Sequence, residues 1–251
     1  QGPIGPRGTQ EAATRARVAR HCIARARAIR ARTRRTRRMS DMSVDAVITE
    51  LVRDQLLAFM RGSGTDAEDR TLDQILAFDD QLWNCCHNHM QWVFPTEEPS
   101  KFNEDAPLLD EQAQLVFKTD CAIQHNLRRT LHRWLIFLGL DAADGDIVAG
   151  QPIRVRKAPN FDKRILSCWR GPSNHNWRRI SRVLRCLDLT GLQQEKQAFF
   201  DCLLEIVAEH PGMIDDDTVR LWHDRAGIRP GSEPLSEELS QLFAQADSLL
   251  K

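Results

Sequence analysis

The chain has 251 residues, 41% apolar and 28% charged, a composition typical of a globular protein that can bury a core without disulfides. No apolar run approaches the roughly 18–20 residues of a membrane-spanning helix, which excludes a membrane span. Residues 39–251 hold 23 of the 35 basic and 34 of the 35 acidic side chains, and this net charge of −11 excludes a specific nucleic-acid binder, because neutralising phosphates needs surplus cations.

Residues 1–38 form an Arg-rich tail with 12 Arg and a single acid, Glu11. We expect this tail to be disordered or not native. Met39 and Met42 stand just before the first helical pattern, so the simplest interpretation is a natural chain that begins at one of them. A transit peptide and a nucleic-acid-binding arm are the alternatives for a segment so rich in Arg.

Apolar residues spaced three and four apart predict about eight helices in residues 39–251, which we expect to form one domain. Their predicted ranges, set by capping residues, glycines and prolines, are 43–62, 71–89, 110–139, 160–170, 174–191, 193–210, 215–226 and 236–250. Three prolines predict a loop at 95–109. Residues 153–156 alternate as a short strand would, but no partner strand is evident. The fold class is therefore all-α, an irregular multi-helix bundle.

The first motif is the run His87-Asn88-His89-Met90-Gln91-Trp92-Val93-Phe94-Pro95. Trp92 and Phe94 are large apolar groups, Gln91 can hydrogen-bond backbone at a helix end, and Pro95 forces extended geometry. We interpret the motif as an anchor that packs a helix end and the following loop into the core. A binding pocket built from the same aromatic residues is the alternative.

Cysteines and histidines near this motif raise the question of a zinc site. Cys85 and His89 are one helical turn apart, but the candidate second pairs, His125 with His132 and Cys168 with His175, do not have the spacing of a known site. We therefore expect no bound metal. The seven cysteines show no C-x-x-C spacing, which predicts reduced, mostly buried thiols in a cytoplasmic protein.

The second motif is the run His175 to Leu184, in which His175, Arg179 and Arg182 share one helix face. Asn176 can cap the helix. A cationic stripe that begins at a helix N-terminus suits an anion. The interpretation that we favour is structural: the arginines reach acids or carbonyls of the loop after Pro95 or of the 110–138 helix, and so tie the two motifs together.

No catalytic motif accompanies these two runs. The sequence has no nucleophile elbow, no glycine-rich phosphate loop, no H-E-x-x-H and no tyrosine. We therefore predict a protein that is not an enzyme and needs no cofactor.

In order and separation the two motifs resemble the opioid growth factor receptor conserved region, and the resemblance covers roughly residues 72–225. The family's first pattern, His, three residues and Gln-Trp-Leu-Phe-Pro, falls on His87 and residues 91–95. Its second, His-Asn, two residues and Arg-Ile-Thr-Arg-Ile-Leu with a closing Gly-Leu, falls on residues 175–184 and on Gly191-Leu192. The departures at Val93, Ser181 and Val183 are mild.

The resemblance implies a non-enzymatic binding module with a peptide or protein partner, since vertebrate members are described as receptors for an enkephalin-type peptide. Membrane association is implied by family analogy alone. The composition and short length resemble a bacterial member. The candidate ligand-binding residues are His87, Gln91, Trp92, Phe94, His175, Asn176, Arg179 and Arg182. The alternatives are an anion or small-molecule site, or an uncharacterised enzyme, on the His175/Arg179/Arg182 face, and a structural module that acts by oligomerisation.

Overall fold

The computed structural model describes residues 44–100, 103, 106–171 and 174–227, and most of them are helical. This confirms the all-α class. The α-helices of the described residues are α1 Val44–Met60, α2 Leu72–Leu76, α3 Asp80–Cys85, α4 Met90–Val93, α5 Glu111–Thr119, α6 Cys121–Leu138, α7 Phe161–Arg164, α8 His175–Thr190, α9 Gln193–Glu209 and α10 Asp216–Arg225. A π-helical turn, Ile165–Trp169, continues α7. The strands are β1 Leu140–Ala143 and β2 Arg154–Lys157.

The helix predicted at 71–89 is in fact the two short helices α2 and α3, and α4 follows in the first motif. Thr71 caps α2 in a capping box with Gln74, as its sequence indicates. Asp79 then starts α3 by accepting a hydrogen bond from the Leu82 N–H. A second cap within an apolar stripe ends one helix and begins another, which periodicity alone does not show.

The helix predicted at 110–139 is likewise two helices, α5 and α6, that meet at Asp120. The backbone of Asp120 is extended, and its carboxylate accepts hydrogen bonds from the Ala122 and Ile123 N–H groups. Asp120 therefore ends α5 and caps α6. Gly139 closes α6 in the left-handed conformation, as predicted.

The isolated strand was a wrong prediction in one respect, because β2 has a partner. It pairs antiparallel with β1, with Leu140 opposite Lys157 and Ala143 opposite Arg154. Asn160 is the N-cap residue of α7, as the helix start predicted at residue 160 implies, but its side chain makes no capping hydrogen bond.

The core is one cluster that includes five tryptophans buried almost completely: Trp83, Trp92, Trp134, Trp169 and Trp222. Three indole N–H groups link successive elements, from Trp169 to the Leu138 carbonyl, from Trp177 to that of Trp169, and from Trp222 to that of Trp177. These bonds satisfy the polar ends of these three rings, whereas the indole nitrogens of Trp83 and Trp134 have no hydrogen-bond partner among the described residues.

Some predictions of burial were only partly met, and two other predictions concern segments outside the described residues. Leu51 and Leu115, which belong to the apolar repeats of the helices predicted at 43–62 and 110–139, are 63% and 64% exposed. Of the six described cysteines, Cys168, Cys186 and Cys202 are buried, and the other three are exposed or half-buried. The 1–38 tail and the helix predicted at 236–250 fall outside the described residues. Within the described part of the chain, no helix combines the length and apolarity needed to cross a membrane.

Candidate functional site

The structure brings the two motifs together where the first turns of α8 pack against the ends of α3 and α4. Asn174 caps α8 by accepting a hydrogen bond from the Asn176 N–H at 2.9 Å. The cap predicted for Asn176 is therefore supplied by Asn174. Each of the two arginines predicted to tie the motifs together is directed at the C-terminal end of a short helix.

Arg179 is the central group of the contact, and it is only 7% exposed. Its guanidinium donates to the carbonyls of Trp83 at 2.7 Å and Cys86 at 3.1 Å, both at the end of α3. It also lies 3.0 Å from Nδ1 of His87. The last carbonyls of a helix have no partner within it, so Arg179 satisfies acceptors that α3 leaves open.

Arg182 does the same for α4. Its guanidinium donates to the Phe94 carbonyl at 3.3 Å and to the Thr96 hydroxyl at 3.0 Å. Thr96 lies in the loop after Pro95, where the sequence predicted a partner, whereas the Phe94 carbonyl lies just before Pro95. Arg179 instead reaches α3, which the sequence did not predict. A third arginine, Arg133 of α6, donates to the Phe78 carbonyl just beyond α2 at 2.7 Å.

Asn176 links three elements from its buried position. Its side-chain amide donates to the Asn84 side chain at 3.2 Å and to the Cys168 carbonyl at 3.1 Å. The same Asn84 oxygen lies 3.1 Å from Nε2 of His175. Asn84 was not among the predicted site residues, and nothing in its sequence context distinguishes it.

The aromatic part of the first motif faces the interior. Trp92 is 2% exposed and its ring meets Phe59 edge-on at 5.5 Å, while Phe94 is fully buried against Trp134. Gln91 is also buried, and its amide donates to the Ser100 hydroxyl at 3.3 Å. Trp92 and Phe94 therefore lie in the core, where the sequence placed an anchor.

Two of the eight candidate residues reach the surface, His87 and His175, and we call them the histidine pair. Their rings meet edge-on with centroids 5.4 Å apart. Burial lowers the pKa of each imidazole, and the positive charge of Arg179 lowers both further. Both rings are thus biased toward the neutral form, in which each offers one donor and one acceptor.

His89, between these motif residues, is fully buried and stacks edge-on against Trp83 at 4.8 Å. Neither ring nitrogen has a hydrogen-bond partner among the described residues, although the Cys86 backbone is close enough to favour protonation slightly. Burial, with the charges of Arg179 and Arg70 added, lowers the pKa of His89 to about 3. His89 is therefore a neutral core group.

A buried ion pair that the sequence analysis missed supports the same region. Asp66 is 1% exposed and accepts from Arg70, which also contacts Asn88 of the first motif at 3.1 Å. Asp66 and Arg70 lie in a turn outside any helix, so helical spacing could not have identified the pair. Among the described residues, no three His, Cys, Asp or Glu side chains converge as metal ligands do.

Fold and contacts together define an all-helical protein in which two arginines of the second motif, on α8, close the ends of the short helices α3 and α4, next to and within the first motif. The chain belongs to the opioid growth factor receptor conserved region family, whose model matches residues 70–222. The match includes both motifs and the arginine contacts between them.

Two curated relatives carry the same name. The human opioid growth factor receptor is 31% identical over 131 residues, 51% of this chain and 18% of the relative. The mouse opioid growth factor receptor is 29% identical over 119 residues, 47% of this chain and 18% of the relative. The aligned region thus spans about a fifth of each receptor. No solved structure matches.

Proposed function

We propose that this chain is a non-enzymatic binding module that recognises a peptide or protein segment at the surface formed by the histidine pair. The names of the human and mouse relatives support a receptor role, with opioid growth factor as the ligand that those names state. The observation that carries the proposal is the exposed pair of imidazoles, whose pKa values burial and Arg179 lower, held in place by Arg179 and Asn84.

The fixed position of the two rings is what suits them to binding. His87 is held by Arg179 and His175 by Asn84, so neither ring has to be ordered when a ligand arrives. Preorganised groups of this kind reduce the entropic cost of association. Neutral imidazoles can also exchange hydrogen bonds with a peptide backbone, which presents donors and acceptors alike.

The remaining candidate residues act in this proposal by holding the pair in place. Arg179 and Asn176 contact the pair or its partner Asn84, and Arg182 fixes the end of α4. Gln91, Trp92 and Phe94 are buried, and they anchor α4 in the core. Leu82 and Cys85, exposed on α3, provide apolar surface on the same short helix.

The test is a titration of a fluorescent enkephalin-type peptide followed by anisotropy. The double variant His87→Ala/His175→Ala should lose binding while its melting temperature stays close to that of the wild type, because both rings are exposed. The matched control is His125→Ala, an exposed histidine of α6. Equal binding by the double variant would refute the site, and no binding by the wild type would refute the ligand.

A second candidate is an anion site on the His175/Arg179/Arg182 face. It is favoured by one observation. Among the described residues, neither Arg179 nor Arg182 forms an ion pair, so no acidic side chain lies within salt-bridge distance of either positive charge. Under this proposal, phosphate should raise the melting temperature, and His175→Gln should abolish that increase. An unchanged increase in His175→Gln would exclude the anion site on this face.

A further inference from the structure

A cavity of about 400 Å³ lies away from the two motifs, between the α5–α6 junction and the loop that joins β1 to β2. Lys118 lines it from the end of α5, and Gln124, His125 and Arg128 line it from α6. Val148 and Ala149 form part of the opposite wall. We call this space the basic cavity. Its volume is within the range of small-molecule sites.

The charge of the lining is one-sided. Lys118 and Arg128 are cations, His125 adds an imidazole, and none of the described residues that line the cavity is a carboxylate. The nearby Asp120 is engaged elsewhere, since it accepts from Arg61 at 2.7 Å and caps α6. The Glu195 carboxylate accepts a hydrogen bond from Nε of Arg128 at 2.6 Å. No other described residue bonds to the two terminal nitrogens of the guanidinium, so they remain as donors.

The polar groups of the basic cavity are held in place by the fold. The Gln124 amide donates to the Phe117 carbonyl at 2.6 Å and to that of Thr190 at 2.9 Å. This ties the cavity to the ends of α5 and α8 and leaves the Gln124 oxygen as an acceptor.

The wall opposite α6 is equally well defined. Asp146 caps the loop by accepting from the Val148 and Ala149 N–H groups. Gly150 has a φ of +72° and packs on the guanidinium of Arg128, where a Cβ would lie 3.2 Å from Cζ. Glycine at this position lets the loop approach the arginine closely, and so sets the width of the cavity.

We propose that the basic cavity binds the phosphate group of a small organic phosphate. A phosphate offers three acceptor oxygens, which matches donors arriving from Lys118, His125 and Arg128 on separate helical turns, whereas a carboxylate is satisfied by a single forked donor. Val148 and Ala149 give an apolar wall for the organic part of the ligand. This site is separate from the histidine pair.

The experiment uses the full chain and compares phenyl phosphate, inorganic phosphate and benzoate by thermal shift at constant ionic strength. Phenyl phosphate should raise the melting temperature with increasing concentration, and Lys118→Gln and His125→Gln should each weaken its apparent affinity by about tenfold, the loss of one charge-assisted hydrogen bond. Arg178→Gln, which removes an exposed arginine of α8, is the matched control and should bind as the wild type does.

Three results would overturn the proposal. These are no shift with phenyl phosphate, an equal shift with benzoate, or an equal loss of affinity in Arg178→Gln and Lys118→Gln. Loss in His175→Gln alone would instead place the anion at the histidine pair.

Cysteine alkylation gives a readout that is local to the basic cavity. Cys121 lines the cavity and is exposed, and Cys85 is an exposed thiol on α3. Phenyl phosphate should slow the reaction of iodoacetamide with Cys121 several-fold and leave the rate at Cys85 unchanged, as measured by peptide mapping. Equal rates at Cys121 with and without phenyl phosphate would show that the ligand does not occupy the cavity.

Discussion

Truncation of Arg179 to alanine is expected to lower the free energy of unfolding by about 3–5 kcal/mol. The guanidinium makes two hydrogen bonds to carbonyls at the end of α3, at 2.7 and 3.1 Å, and its position is 7% exposed. Burial lowers the pKa of Arg179 only to about 10, so the group is charged at neutral pH. Each hydrogen bond to a charged donor contributes about 1.5–3 kcal/mol, and the open carbonyls would be left largely without water.

Urea denaturation followed by circular dichroism measures this loss, provided that the denaturant slope stays constant. Arg178→Ala is the control, since this neighbouring side chain is exposed and its loss should change stability by no more than about 0.5 kcal/mol. Arg179→Lys should fall between the two, because an ammonium cannot span both carbonyls and His87 as the planar fork does. Arg179→Ala with wild-type stability would refute the structural role of the contact.

Three further predictions concern the core, pH and the tail. Trp92→Ala should destabilise by about 3–5 kcal/mol in the same denaturation assay, and wild-type stability would contradict its place in the core. The pKa of His89 is about 3 in the folded chain and about 6.5 in the unfolded chain. The free energy of unfolding therefore has its full value above pH 6.5 and falls below that pH, by about 2 kcal/mol at pH 5. His89→Phe should remove most of this pH dependence. A chain that begins at Met39 should keep the melting temperature measured by calorimetry, and a fall of many degrees would show that residues 1–38 contribute to the fold.

The helical class followed from the sequence because apolar spacing and capping residues act locally. Thr71, Gly139 and Gly191 end or begin helices where their chemistry predicts. The aromatic anchor was also predictable, since burial in the core is the main way in which Trp92 and Phe94 can remove their large apolar surface from water. The pairing of β1 with β2 was not, because a four-residue strand carries too little pattern to identify its partner.

The breaks within the first half of the chain depend on contacts that are distant in sequence. Arg133, Arg179 and Arg182 each donate to a carbonyl in the last turn of α2, α3 or α4 or just beyond it, across 55 to 96 residues. Local periodicity contains no information about these donors, so the sequence predicted one helix at 71–89 where the two short helices α2 and α3 occur. For the candidate site, the contact between the two motifs was predictable from the sequence. The residues that the second motif contacts on α3 and at its end, which are Trp83, Cys86 and Asn84, were not.

The contacts of Arg179 and of the histidine pair allow an effect on stability to be separated from an effect on binding. Arg179 both closes α3 and holds His87, so its removal should weaken the fold and any binding at the histidine pair together. His87 and His175 are exposed, and their removal should affect binding alone. If the His87→Ala/His175→Ala variant were as destabilised as Arg179→Ala, the pair would be part of the packing, and the motif pattern would then be explained by the fold without a ligand. A variant that is stable but no longer binds would show that the two histidine rings, which Arg179 helps to hold, serve binding and not packing.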